Sequence, residues 1–187
     1  IEGLLSGRLS KALHLGTMYP RFVENTKSFY KLIEAFIVLT LVTSAAIGAV
    51  SLVFGQLFWG ITFADLPAIL SVVVATMTIS LALLAVTLKV AFVSFKRGLD
   101  PDIMVYPVMS TVGALFITLC YVVTLNLFFS YSDFGKWTII LLGATHLALV
   151  LYIVPRNLHE PDFIKTIRES LAALMIVTLI VNVTGTL

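Results

Sequence analysis

Between Lys96 and Thr111 the chain reads Lys-Arg-Gly-Leu-Asp-Pro-Asp-Ile-Met-Val-Tyr-Pro-Val-Met-Ser-Thr. Asp100 and Asp102 flank Pro101, and Pro107, Ser110 and Thr111 follow. Asp100 can cap a helix beginning at Pro101, and both acids complement the positive end of that helix's macrodipole. The same carboxylates attract hard cations, which prefer oxygen ligands, so capping alone and capping with cation recruitment both stand as readings. Pro107 frees the carbonyl four residues earlier and bends the axis; in a bilayer such a carbonyl is tolerated where it faces protein or a water-filled cavity. With the Ser110 and Thr111 hydroxyls within a turn, oxygen ligands gather at one depth below an acidic mouth, the chemistry of a cation path.

Only membrane helices can position these groups. Of 187 residues 59% are hydrophobic and 12% charged, and the mean hydropathy is +1.06; a soluble domain would expose much of that apolar surface to water. Uncharged windows run Ala35–Ala64, Leu66–Leu88, Ile103–Ser132, Trp137–Pro155 and Ser170–Leu187, against roughly 20 apolar residues needed to cross the hydrocarbon. The first and third leave room for interfacial turns, and the last is the shortest in apolar residues. Runs such as Leu-Leu-Ala-Val-Thr-Leu at 83–88 lack the alternation of a barrel strand. The expected fold is all-α: a polytopic bundle forming one integral-membrane domain over residues 1–187, with spans at 35–64, 66–95, 103–132, 137–155 and 169–187.

The cations set a sidedness. Arg8, Lys11, Arg21, Lys27 and Lys31 precede the first span, none lies between the first and second, and Lys89, Lys96 and Arg97 close the second. Lys136 follows the third, and Arg156, Lys165 and Arg168 follow the fourth. This alternation predicts a cytoplasmic N-terminus and an external C-terminus; the expected location is the plasma membrane. Residues 1–31 read as a cytoplasmic amphipathic segment, suited to the end of an earlier membrane helix followed by an interfacial one. Gly55–Asp65 reads as an external loop with Phe58, Trp59 and Phe63 at headgroup depth, and Pro67 as a helix start. Tyr131–Trp137 reads as an external turn, Pro155 as the end of the fourth span and Arg156–Arg168 as a linker. The sequence opens at Ile1 without a methionine or a signal-peptide pattern, so upstream residues are expected.

Other polar groups compete for a role. His146, central in the fourth span, could relay protons or hold a soft metal, or could be a neutral histidine bonded to a neighbouring helix. Asn126, Asn182 and Thr184 could bond across helices, and Ser44, Ala45, Gly48 and Ala49 form small-residue pairs that let another helix approach. Cys120 is the single cysteine, which leaves no disulfide framework. The sequence contains no His-Glu-Xaa-Xaa-His, Gly-Xaa-Ser-Xaa-Gly or phosphate loop, which argues against an enzyme and its cofactors. No basic run interleaved with aromatics suggests nucleic acid, so the expected partners are the bilayer and a cation.

The stretch Gly98–Val112 resembles the signature of the last pore helix in MgtE-type divalent cation transporters. Ser6–Gly16 resembles a second signature of that family, especially its archaeal and solute-carrier branch, and Ile167–Leu174 onward to Gly185 is similar to the first helix of a family repeat. The resemblance implies an MgtE-like pore domain that carries Mg²⁺, or a related divalent cation, as its substrate. It also implies a homodimer or a pseudo-dimer with a second repeat, the path lying at the interface. A Gly-Asn pair that precedes the second signature in the family would lie upstream of Ile1. Family members place an Asp in the pore a few residues beyond the Ser/Thr pair, and the corresponding residue here is Ala114. An alanine leaves the dehydration of a divalent ion less compensated. A non-conducting or degenerate subunit or repeat, structural or regulatory, is therefore the alternative.

Overall fold

Polar caps and glycines cut this apolar chain into helices. The computed structural model describes residues 2–130 and 133–186, and the regular elements among them are all helical. Helix α1 spans Glu2–His14, and α2 spans Lys27–Trp59. Thr26 caps α2 by accepting from the Phe29 N–H, and Gly60, at φ +67°, ends it in the left-handed conformation that glycine adopts without strain. The helix begins well before the uncharged window at Ala35, because its first turns carry Lys27, Lys31 and Glu34, the last two paired at 2.8 Å.

A 3-10 turn at Phe63–Asp65 leads into α3 (Leu66–Ser80) and α4 (Ala82–Lys96), which together make one span where a single helix over 66–95 was expected. The joint is at Leu81. There Leu81 N still bonds the Met77 carbonyl at 3.2 Å and shares it with Ser80 Oγ at 2.9 Å, so the joint is a local tightening of one continuous span. Leu84 N then bonds Leu81 O at 3.0 Å, a 3-10 bond that tightens the turn. Helix α5 spans Pro101–Phe129, α6 Asp133–Asn157 and α7 Pro161–Thr186.

Five segments, α2, α3–α4, α5, α6 and α7, are long and apolar enough to cross a membrane. Several expected boundaries move. Residues 55–59 of the expected loop continue α2, and residues 133–137 of the expected external turn are the first turns of α6. Pro155 lies inside α6, which runs on to Asn157, since a proline near a helix end removes one bond without stopping the turn it sits in. Much of the expected 156–168 linker is helical, because α7 opens at Pro161 with Asp162 in its first turn, a favourable start for a helix dipole. Of the expected external turn, Tyr131 and Ser132 lie outside the described residues, as do Ile1 and Leu187.

Helix α2 packs against α3, α6 and α7, and α5 against α1, α3, α4 and α6. Leu5 and Leu9 of α1, Phe36 of α2, Leu83 and Phe92 of α4 and Val105 of α5 share one apolar core. Ala35, Val38, Val150, Ile153 and Phe163 join α2, α6 and α7 in a second. Of the small residues of α2, Ser44 and Gly48 serve this packing, since a Cβ on Gly48 would lie 2.5 Å from Leu70 Cδ2 of α3, whereas Ala45 and Ala49 are exposed.

Candidate functional site

The acidic mouth is set by backbone chemistry. α4 closes at Gly98, φ +73°, with Leu99 N bonded to Ser94 O at 3.0 Å, and this left-handed turn brings Asp100 to the N-cap of α5. Asp100 Oδ1 accepts from Asp102 N at 2.9 Å and from Ser10 Oγ of α1 at 3.0 Å. The Asp102 N–H first, then the Ser10 hydroxyl, hold the Asp100 carboxyl below its ordinary 3.8, with a smaller contribution from His14. Asp100 therefore carries its charge at neutral pH.

Helix α1 forms one wall of this mouth. Ser10 meets Asp100, a Cβ on Gly7 would lie 3.7 Å from Asp102 Oδ1, and one on Gly3 would lie 3.4 Å from the Tyr106 ring. As α1 residue numbers fall, the α5 numbers they meet rise, so the two helices run antiparallel. Leu5, Leu9 and Leu13 are buried beneath them, which makes α1 a packed member of the bundle on that face.

Beyond the mouth, α5 has two unlike faces. Val105, Met109, Gly113, Cys120 and Thr124 are buried against the bundle, whereas Pro107, Ser110, Thr111 and Ala114 are exposed. Ser110 Oγ and Thr111 Oγ1 both donate to the Pro107 carbonyl, at 3.0 and 3.3 Å. Each hydroxyl thereby spends its proton on the helix and keeps lone pairs for a ligand on the exposed side. The Ala114 carbonyl, the one oxygen that alanine supplies, already accepts from Thr118 Oγ1 at 2.8 Å. Asp102 and Ser110 are eight residues apart on one helix, about 12 Å. The carboxylates and the hydroxyls are therefore two stations along α5 rather than one coordination sphere. Among the described residues no three His, Cys, Asp or Glu side chains stand together.

The remaining sequence candidates stand elsewhere. His146 is buried in α6, its Nε2 3.2 Å from the Ile37 carbonyl of α2 and its Nδ1 3.0 Å from Thr78 Oγ1 of α3. A carbonyl only accepts, which assigns the ring proton to Nε2, and with the Thr78 proton given to the Val74 carbonyl the approach of Thr78 Oγ1 to Nδ1 is a contact of two acceptors. Asn126 is exposed and bonds the Val122 carbonyl of its own helix at 2.8 Å, and Thr184 likewise bonds back to Ile180. Asn182 does cross between helices, accepting from Ser51 Oγ at 2.8 Å. Ser10 was not singled out from the sequence, although it lies inside the Ser6–Gly16 stretch.

Compared with models of known protein families, residues 1–124 match that of the MgtE divalent cation transporter. The match ends within α5, leaving α6 and α7 beyond it. No curated protein and no solved structure gives a significant match.

Proposed function

Because the chain belongs to the MgtE family of divalent cation transporters, we propose that it moves Mg²⁺ inward across the plasma membrane along the exposed face of α5. Asp100 and Asp102 draw the hydrated ion to the cytoplasmic end of that path. Pro107 frees the Ile103 carbonyl, and Ser110 and Thr111 add hydroxyl oxygens to it. Magnesium gives up water reluctantly, and a path of hydroxyls and carbonyls lets it keep most of its shell. A second copy of the chain, or a second repeat, faces this side of α5 and closes the path as a two-fold or pseudo-two-fold dimer. The observation that carries this reading is the exposed oxygen-bearing strip of Pro107, Ser110 and Thr111, opposite the buried Val105–Met109–Gly113 face.

One observation favours a second reading. Ala114 occupies the position where a carboxylate is expected, and its carbonyl is engaged by Thr118. A non-conducting subunit that pairs with a chain retaining the acid would fit that residue.

Mg²⁺ uptake into proteoliposomes holding this protein alone separates the two readings. Saturable uptake, competed by Mn²⁺ and reduced by Asp100→Ala with Asp102→Ala and by Pro107→Ala, supports a working path. Ala114→Asp should then lower the half-saturating concentration. Uptake that none of these variants changes removes the motif from transport, and uptake appearing only with Ala114→Asp supports the non-conducting reading.

A further inference from the structure

We propose that the groove between α1, α2 and α7, at the basic end of the bundle, binds the headgroup of an anionic phospholipid, with Lys11 and Lys165 on its phosphate. The groove encloses about 510 Å³, and Arg8, Lys11, Ser28, Asp162, Lys165 and Glu169 are among its walls. Its carboxylates are already engaged. Glu169 Oε2 accepts from Arg8 Nη2 at 2.8 Å, and Asp162 Oδ2 accepts from Ser28 Oγ at 2.6 Å. Lys11 and Lys165 are exposed, and among the described residues neither has an ion-pair partner. The same holds for Arg168, which lines an adjoining cleft with Lys165 and Glu169. With Glu169 paired to Arg8, Lys11 and Lys165 face the one remaining carboxylate, Asp162, so the groove keeps a net positive charge, and a positive concave surface attracts an anion.

The rim of the groove decides which anion. The segment after α1 carries Leu15 at 66% exposure, Val23 at 73%, Tyr19 at 48% and Phe22 at 44%, and Leu15 itself lines the groove. Apolar anchors beside uncompensated lysines are the composition of a segment seated at headgroup depth, and basic pockets at the ends of membrane helices bind lipid headgroups. Inorganic phosphate would satisfy the lysines and leave Leu15 of the groove wall in water; a lipid satisfies both. The inference does not depend on the cation path. It requires only that this end of the bundle lie at a membrane face.

The full chain, in phosphatidylcholine nanodiscs, is titrated with phosphatidylglycerol, and the bound lipid is counted by native mass spectrometry. The expected result is a preference for phosphatidylglycerol that falls about thirtyfold in Lys11→Gln with Lys165→Gln, about fivefold per lysine. Lys11→Arg with Lys165→Arg should restore it, and Lys136→Gln, at the other end of the bundle, should leave it unchanged. Equal melting temperatures of the Gln and Arg pairs in phosphatidylcholine show that the loss is not misfolding. Equal retention of phosphatidylglycerol by the Gln pair would overturn the inference. So would no preference over phosphatidylcholine, or displacement by inorganic phosphate alone.

Discussion

Asp100→Asn separates capping from attraction of a cation. Asparagine caps a helix about as well as aspartate, so its side-chain oxygen can still accept from Asp102 N and Ser10 Oγ, which lie 2.9 and 3.0 Å from Asp100 Oδ1. Only the charge goes. In water, unit charges 4 Å apart attract by about fivefold in affinity, and a divalent ion by about thirtyfold. Asp100 is exposed, so at physiological salt, where the screening length is about 8 Å, the effect should shrink to several-fold. The charge is present over the whole assay range. The accepted bonds depress the folded-state carboxyl below 3.8, so its contribution holds as pH falls through that value and is lost only as the carboxyl protonates below it. The assay is the concentration dependence of Mg²⁺ uptake in proteoliposomes at low and physiological salt, with melting measured in the same lipid. The expected outcome for Asp100→Asn is a melting point lowered slightly, by the stability the charge contributes as a depressed carboxyl, and a half-saturating concentration raised about thirtyfold at low salt, less at high salt. Asp100→Ala should show the same rise together with a melting point lowered further. If Asp100→Asn transports like wild type at low salt while Asp100→Ala is impaired, Asp100 is a cap and its charge recruits nothing.

Two further substitutions test the scaffold. His146→Leu removes the bond to the Ile37 carbonyl. At roughly 0.6 to 1.7 kcal/mol per intramembrane bond it should cost about 1–2 kcal/mol in reversible unfolding from detergent, with uptake per folded molecule unchanged. Lost uptake at full stability would instead make His146 a proton relay. Gly135→Ala places a Cβ against the Leu127 carbonyl oxygen where α6 passes the end of α5. That obstacle is backbone and cannot swing aside, so the substitution should cost about 3 kcal/mol; an unshifted unfolding midpoint would refute the close approach.

The five spans were legible because length and apolarity alone decide them. Their ends were not. Lys27, Lys31 and Glu34 belong to α2, and Pro161 to Arg168 belong to α7, yet charged residues in the first turn of a membrane helix look like loop to a hydropathy window. The tightening at Leu81 was invisible for a different reason. Ser80 turns its hydroxyl onto the Met77 carbonyl that Leu81 N also bonds, and a sequence does not say whether a hydroxyl bonds its own helix or another. Asn126 and Asn182 make the same point, since one bonds its own helix and the other reaches Ser51. Around the mouth, Asp100 as cap and Pro101 as first helical residue follow from local rules. Ser10, 90 residues away in sequence, does not, because only the antiparallel packing of α1 on α5 brings it there.

Exposure by itself does not make the outer face of α5 a path, because lipid covers apolar side chains without cost. Ile140 and Leu141 of α6, or Ile176 and Val177 of α7, are as exposed as much of α5 and need no partner. Thr145 of α6 and Thr184 of α7 also turn single hydroxyls outward; what α5 adds is two adjacent hydroxyls on one carbonyl, beside the carbonyl that Pro107 frees. Its buried face holds Val105, Met109 and Gly113, while Ser110 and Thr111 lie on the other side with their protons committed to the Pro107 carbonyl. In hydrocarbon those outward lone pairs would gain nothing; facing water and a cation they serve as ligands. The acid that might have completed the strip is missing at Ala114. A facing copy of this same chain would bring a second pair of hydroxyls and a second alanine. An isologous partner therefore doubles the oxygens without supplying a carboxylate at that depth. If this strip is the path, as proposed, its recruiting charge is that of Asp100 and Asp102 at the mouth, and substitutions there should weigh more heavily on transport by this chain than on a relative that keeps the pore acid.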